Sequence, residues 1–204
     1  TGELTGKTFS GKDCINATFY QSTHEKNGPQ NYEELQKIKL MSDVTVYGDY
    51  MFVRRNVELD LNGYTLTLNG ATESGRAYFY MDGVGTNFKV VGNGKIVVNG
   101  NSPFFNSVQN GENAKSNYFG IIGDEKGIEV EYYANGEWAA IVTTIDEGTL
   151  EFKNAKITYH NPIKSTTGQR YYRGAFDLAA NGGAPVVKFD NVVFMQPDCA
   201  KSVA

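Results

Sequence analysis

Apolar and polar residues alternate with period two along most of the chain, the pattern of strands that bury one face. It is clearest in "NVELDLNGYTLTLNG", residues 56–70, where Leu59 and Leu61 share a side, the pattern pauses at Asn62-Gly63, and Leu66 and Leu68 resume it. Asp60 is out of phase with its leucine neighbours and is expected to point outward. Three-strand groups recur at residues 50–68, 77–98, 139–159 and 174–195. Each spans about 20 residues, a length typical of repeats that stack on one another.

Within each group a short corner separates the second strand from the third: Asn62-Gly63, Gly92-Asn93-Gly94, Asn154-Ala155 and Asn191. So short a corner cannot reverse a strand into a hairpin and keep the apolar phase on both sides, but it can turn the chain through one edge of a coil. Repeated in register, it stacks Asn over Asn, so that the side-chain amides can hydrogen-bond along the stack. The expected core is Leu59, Leu61, Leu66, Leu68, Val90, Ile96, Val98, Phe152, Ile157, Phe189 and Phe194. An antiparallel sandwich or jelly roll also needs many short strands. The corners and the equal group lengths weigh against it.

Helical periodicity occurs once, in "NYEELQKIKLMS" at 31–42. Asn31 is placed to cap the first turn, Glu34 sits at the reciprocal capping position, and Leu35 and Ile38 begin an apolar stripe. The spacing predicts a short amphipathic helix there. Residues 99–138 read as an excursion between the second and third groups, in which "YFGIIG" at 118–123 is a candidate for another strand of the solenoid. In its latter half, "GIEVEYYANGEWAAI", an Asn135-Gly136 turn between alternating runs predicts a β-hairpin, with Trp138 just past the turn. Such a hairpin either packs along the side of the scaffold or projects as a binding loop.

The segments "DVTVYGDYMFVRRNVELDLNGYTLTLNG", "LEFKNAKITYHN" and "VVKFDNVVFMQ" resemble coils of right-handed parallel β-helices of the pectin-lyase-like superfamily, with Asn154 and Asn191 in the ladder position. Microbial surface proteins, phage tailspikes and polysaccharide-degrading enzymes share that fold, so the resemblance bears on architecture more than on activity. It implies an all-β, right-handed parallel β-helix (solenoid) with a short N-terminal capping helix and a β-hairpin insertion. The expected layout is an N-terminal extension at 1–30, the capping helix at 31–42 and first coils at 43–98. The insertion at 99–138, later coils at 139–196 and a tail at 197–204 complete a single domain.

The 204 residues suffice for one such domain with a real core. Eight Asn-Gly dipeptides, from Asn27 to Asn181, fit a chain of many tight turns. A net charge of −4 gives no reason to expect nucleic acid or an anionic membrane as a partner, and no apolar run is long enough to span a bilayer. Charge is segregated. Residues 121–152 carry eight acids against Lys126, whereas 153–173 carry Lys153, Lys156, Lys164, Arg170 and Arg173 with no acid. These are either solvated faces of adjacent coils that partly neutralise each other, or complementary faces that join identical subunits.

Candidate chemistry is sparse. Fold resemblance to enzymes acting on uronic-acid polymers directs attention to basic side chains, with Ca²⁺ a possible cofactor. Lys164 with Arg170, Tyr171, Tyr172 and Arg173 mixes guanidinium forks for carboxylates with aromatic faces for sugar rings, and is the candidate lyase or ligand-binding set. A basic, tyrosine-rich loop packed along the scaffold reads the same way. Asp60, Asp82 and Asp177 show no spacing that suggests a hydrolase pair. With His24 and His160 the only histidines, a Ser-His-Asp triad or a histidine-rich zinc site has little support. Cys14 and Cys199 lie near opposite ends. They form a bridge within the chain, a head-to-tail link between subunits, or two free thiols. Asn16-Ala17-Thr18 is a glycosylation sequon. The sequence therefore predicts an extracellular or cell-surface module that assembles with itself or adheres to polysaccharide without catalysis, with a polysaccharide lyase or glycoside hydrolase as the alternative.

Overall fold

In the computed structural model the chain is described over residues 2–4, 8–10, 36–47, 51–53, 56–69, 78–81, 87–100, 103–107, 117–134, 141–143, 148–160, 175–177 and 185–197. These form fifteen strands: β1 Gly2–Leu4, β2 Thr8–Ser10, β3 Gln36–Leu40, β4 Val44–Tyr47, β5 Met51–Val53, β6 Val57–Asp60, β7 Thr65–Asn69 and β8 Phe79–Met81, followed by β9 Asn87–Gly100, β10 Phe105–Ser107, β11 Tyr118–Ala134, β12 Val142–Thr143, β13 Thr149–His160, β14 Phe176–Asp177 and β15 Val186–Met195. One ten-stranded sheet has the order β1-β3-β6-β9-β11-β13-β15, with β2, β4 and β7 alongside, and a five-stranded sheet has the order β14-β12-β10-β8-β5. Every strand pair among the described residues is parallel. That excludes an antiparallel sandwich for these strands. The protein is all-β and parallel, an arrangement compatible with a β-solenoid.

The chain adds to the sheets in sequence order, one layer or rung at a time. Ile38, Leu59, Val90, Ile121, Phe152 and Phe189 lie side by side in register, at intervals of 21, 31, 31, 31 and 37 residues. The repeat is thus longer than the 20 residues of each strand group, because the residues that connect one group to the next belong to it. β11 pairs along nearly its whole length with β9 on one side and β13 on the other. With both edges of Ile128–Tyr133 occupied by parallel neighbours, no edge is left there for an antiparallel hairpin arm. Residues 118–134 are therefore a rung and not an insertion, and Asn135, Gly136 and Trp138 lie outside the described residues.

The predicted helix is also corrected. Residues 36–40 form β3, there is no helix among the described residues, and 31–35 lie outside them. The deciding pattern is Lys37-Ile38-Lys39-Leu40. Its two apolar side chains are buried, while Lys37 and Lys39 face Glu58 and Asp60 of the next strand at 3.4 and 3.8 Å. A helix would have broken both the alternation and these cross-strand pairs.

The corners behave as expected. Asn62, Asn154 and Asn191 adopt φ of 50°, 46° and 52°, and Gly63, Gly92, Gly94 and Gly127 are also left-handed. Asn and Gly accept this conformation where β-branched residues do not. Asn191 Nδ2 donates to Asn154 Oδ1 at 2.8 Å, the predicted amide ladder, and Asn154 Nδ2 donates in turn to the Gly123 carbonyl at 3.1 Å. A second ladder joins Asn99 Nδ2 to Asn69 Oδ1 at 2.7 Å. At Gly94 any Cβ would collide with the Tyr64 carbonyl.

Inside, apolar columns run the length of the stack. Phe119 is fully buried and touches the rings of Phe88, Phe104, Phe105 and Phe152, its contact with Phe105 a stacked one at 3.9 Å that ties the two sheets together. All the expected core residues are buried except Phe189 and Phe194. Those two face inward in register but belong to β15, the last strand of the sheet, so nothing in the described stack covers them.

Phe119→Ala should lower the unfolding free energy by about 3–5 kcal/mol in urea denaturation, the usual cost of an aromatic deletion that leaves a cavity. At the corner, Asn62→Val should cost about 1–3 kcal/mol through left-handed strain, whereas Asn62→Gly keeps the conformation and should cost about 1 kcal/mol, for the lost hydrogen bond from Asn62 Nδ2 to the Leu40 carbonyl.

Candidate functional site

The sequence-predicted site residues Lys164, Arg170, Tyr171, Tyr172, Arg173 and Trp138 lie outside the described residues, as do Cys14, Cys199 and Asn16. Of the other residues considered, Asp60 is half-buried and faces outward, its Oδ1 accepting the Asn62 N–H at 2.8 Å to brace the corner. His160 stacks on Tyr133 at 4.4 Å with the ring planes nearly parallel. Neither is placed as a catalytic group.

The described residues instead bring together a lateral cleft of about 350 Å³, lined by Asn56, Glu58, Asn87, Lys89, Tyr118 and Glu151, with Val57 behind them. Its logic is vertical. Lys37, Glu58, Lys89, Gly120, Glu151 and Lys188 occupy one outward column of the large sheet, each in register with the next. Charges alternate along the column and are interrupted only at Gly120. A Cβ there would sit 2.7 Å from the Tyr118 hydroxyl, so glycine is what lets the phenol ring fold across the column. From that position Tyr118 Oη donates to Glu151 Oε2 at 2.8 Å, and the Lys89 ammonium lies 5.2 Å from the ring centroid. On the cleft's other flank Asn56 Oδ1 accepts from both the backbone N–H and the side-chain amide of Asn87, at 3.1 and 2.9 Å.

Burial, reinforced by the hydrogen bond to Glu151, pushes the Tyr118 phenol well above its ordinary pKa of 10.0. It keeps its proton at neutral pH and can donate a hydrogen bond but not act as a base. Glu58 and Glu151 are three strand positions apart in the column, so their backbones are separated by about 14 Å at the usual strand spacing. A glycosidase pair places its carboxyl groups only about 5–9.5 Å apart. The cleft's chemistry is that of hydrogen bonding: carboxylates and amide oxygens accept, while an ammonium and amide N–H groups donate. Among the described residues no three His, Cys, Asp or Glu side chains group as a metal would require.

The remaining electrostatics also run between rungs. Lys95 Nζ lies 2.9 Å from Glu131 Oε2, and Tyr133 Oη donates to that same oxygen at 3.0 Å. The hydrogen bond from Lys95 holds the Glu131 carboxyl below its ordinary 4.5, desolvation opposes it, and the Tyr133 hydroxyl adds a smaller lowering effect. Lys95 is raised in return, chiefly by the same contact. Lys156 meets Glu129 at 3.3 Å and Lys153 meets Asp190 at 3.2 Å. Of these pairs, Lys156–Glu129 joins the acidic stretch to the basic one, so the two neutralise one another between adjacent rungs at that position. Exposed pairs of this kind contribute at most about 1 kcal/mol each, so they mark register more than they add stability.

Glu58, Lys89, Gly120 and Glu151 had not been grouped by reading the sequence. The signal was present as a constant interval of 31 residues, but a repeat of about 20 conceals it. Comparison of the chain with family models, characterised proteins and solved structures gives no significant match. No helix among the described residues is long and apolar enough to cross a membrane.

Glu131 should titrate below 4.5 when followed by carboxyl-carbon NMR, and Lys95→Met should return it toward 4.5. Because its folded pKa is depressed, the stability Glu131 contributes is complete above its unfolded value. It is lost as pH falls through the folded one, so the mutant's acid unfolding curve should converge on that of the parent at low pH.

Proposed function

We propose that this chain is a right-handed parallel β-helix of the pectin-lyase-like kind, working outside the cell or at its surface as a binding module rather than an enzyme. Its ligand is a hydroxyl-rich glycan held along the lateral cleft. The observation that carries this reading is the column Glu58–Lys89–Gly120–Glu151 with Tyr118 folded across it. It presents alternating donors and acceptors at the regular spacing of parallel strands, as a chain of sugar units would require. Alternation also bears on which glycan. The cleft has no excess of cations to hold a uronate, which favours a neutral polymer. A protonated Tyr118 tied to Glu151 further supports binding over proton abstraction.

Isothermal titration calorimetry against neutral and uronate oligosaccharides tests the reading. Binding of a neutral oligosaccharide should weaken by roughly tenfold in Glu151→Gln, Lys89→Ala and Tyr118→Phe, the loss expected for one hydrogen bond to a charged group or its orienter. Equal affinity in all three variants would remove the cleft from consideration. If the chain instead released unsaturated, ultraviolet-absorbing products from a uronate polymer, and Arg170→Ala or Arg173→Ala abolished this, the lyase alternative would replace the proposal.

A second role, assembly with further copies of itself, is favoured by a separate observation: the apolar residues Val186, Phe189, Val193, Phe194 and Met195 of the terminal strand β15 are exposed.

A further inference from the structure

We infer that two copies of this chain join tail to tail through β15, by antiparallel pairing of residues 186–190, which precede its Asn191 corner, about a two-fold axis at Phe189. This rests on the self-assembly reading above and specifies its geometry. Among the described residues β15 pairs only with β13, so its outer edge presents a row of backbone donors and acceptors to solvent. Such edges recruit further strands unless they are blunted. Here the edge is apolar. Phe189 stacks on Phe152 at 5.5 Å with one face and is 56% exposed, and Val186 is 50% exposed. Outward positions of the preceding strand are polar, with Thr149 and Lys156 standing in register where β15 has Val186 and Val193. Pro185 and Pro197, which lack the N–H a ladder requires, bracket the strand and confine any pairing to the residues between them.

Charge selects the orientation. Lys188 and Asp190 flank Phe189 on the outward face. An antiparallel pair centred on Phe189 sets Lys188 of each copy opposite Asp190 of the other, giving two reciprocal ion pairs, and brings the two Phe189 rings together. Lys188 makes no ion pair among the described residues, and the side chain of Asp190 is 63% exposed although it touches Lys153. Head-to-tail stacking fares worse. In the register kept by the sheet, Glu3 belongs to the column of Lys39, Asp60, Lys153 and Asp190, so a second copy added beyond β15 would set one acid beside another. The two-fold arrangement also closes, consuming both edges, whereas head-to-tail addition leaves a fresh edge at every step.

Sedimentation equilibrium of the full chain over a micromolar concentration range tests this. The expected result is a monomer–dimer equilibrium that Lys188→Glu and Asp190→Lys each weaken by roughly tenfold, as two like-charged cross-strand pairs replace two favourable ones. The double variant should recover the parent's dimer affinity within a few-fold. Recovery identifies contact between copies, because the intrachain clash of a lysine at 190 with Lys153 persists in the double variant. Phe189→Lys removes the apolar contact between copies together with the stack on Phe152, so it should be monomeric with a modestly lowered melting temperature, and serves if the charge variants fold poorly. A chain that stays monomeric at every concentration overturns this inference and the self-assembly reading together. Open-ended polymers, or a dimer indifferent to these substitutions, would overturn the two-fold geometry alone.

Discussion

Backbone hydrogen bonding between parallel strands in fixed register is the constraint from which the rest of this protein follows. Side chains on a strand alternate between faces, so a slip of one residue at any layer would turn Leu59, Val90 or Ile121 outward and an ion-pair partner inward. The left-handed asparagines and glycines at the corners prevent that slip. They turn the chain within one to a few residues and hand the apolar phase from one strand to the next intact. Given that phase, the buried columns form a continuous core. The aromatic contacts around Phe119 then connect the two sheets, which share no strand pairing among the described residues.

The same register makes surface chemistry vertical. A side chain facing solvent has as its nearest neighbours the residues directly above and below it, about 4.8 Å away, and not its neighbours in sequence. Lys37 with Glu58, Lys39 with Asp60 and Lys156 with Glu129 are pairs of this origin. The cleft is one more case, altered by a single omission. Removing the side chain at Gly120 leaves a gap in the column, and Tyr118 folds into it from the adjacent one. A polar surface that would otherwise be a uniform ladder acquires a depression with a phenol across it.

Local patterning made much of this legible in advance. Period-two alternation placed the core positions, and isolated Asn and Asn-Gly sites between apolar runs marked the corners correctly, down to the amide ladder between Asn154 and Asn191. Two features were misread for opposite reasons. In residues 36–40, Ile38 and Leu40 carry the strand signal, but the capping residues just upstream favoured a helix, and only the cross-strand partners Glu58 and Asp60 decide between them. At 118–134 the alternation was seen, but an Asn-Gly turn shortly beyond it gave the local impression of a hairpin. Parallel partners 31 residues away on either side outweigh that turn, and no local window contains them. The cleft was hidden by the same error, since its members are consecutive only once the interval is known.

Among the described residues β15 is held by a neighbour on one side only, which has a dynamic consequence. Each layer of such a stack is stabilised by its neighbours, so an interior layer is held from two sides and an end layer from one. Opening therefore begins at the end, where Phe189 and Phe194 give up only part of a core contact when they leave. Each layer that departs then exposes the next as the new end. Local stability should rise from β15 through β13 to β11, so the cleft, with Glu151 on β13 and Tyr118 on β11, sits where that gradient becomes steep. Anything that covers the end raises the free energy of the first opening step, and thereby steadies a binding surface that it does not touch.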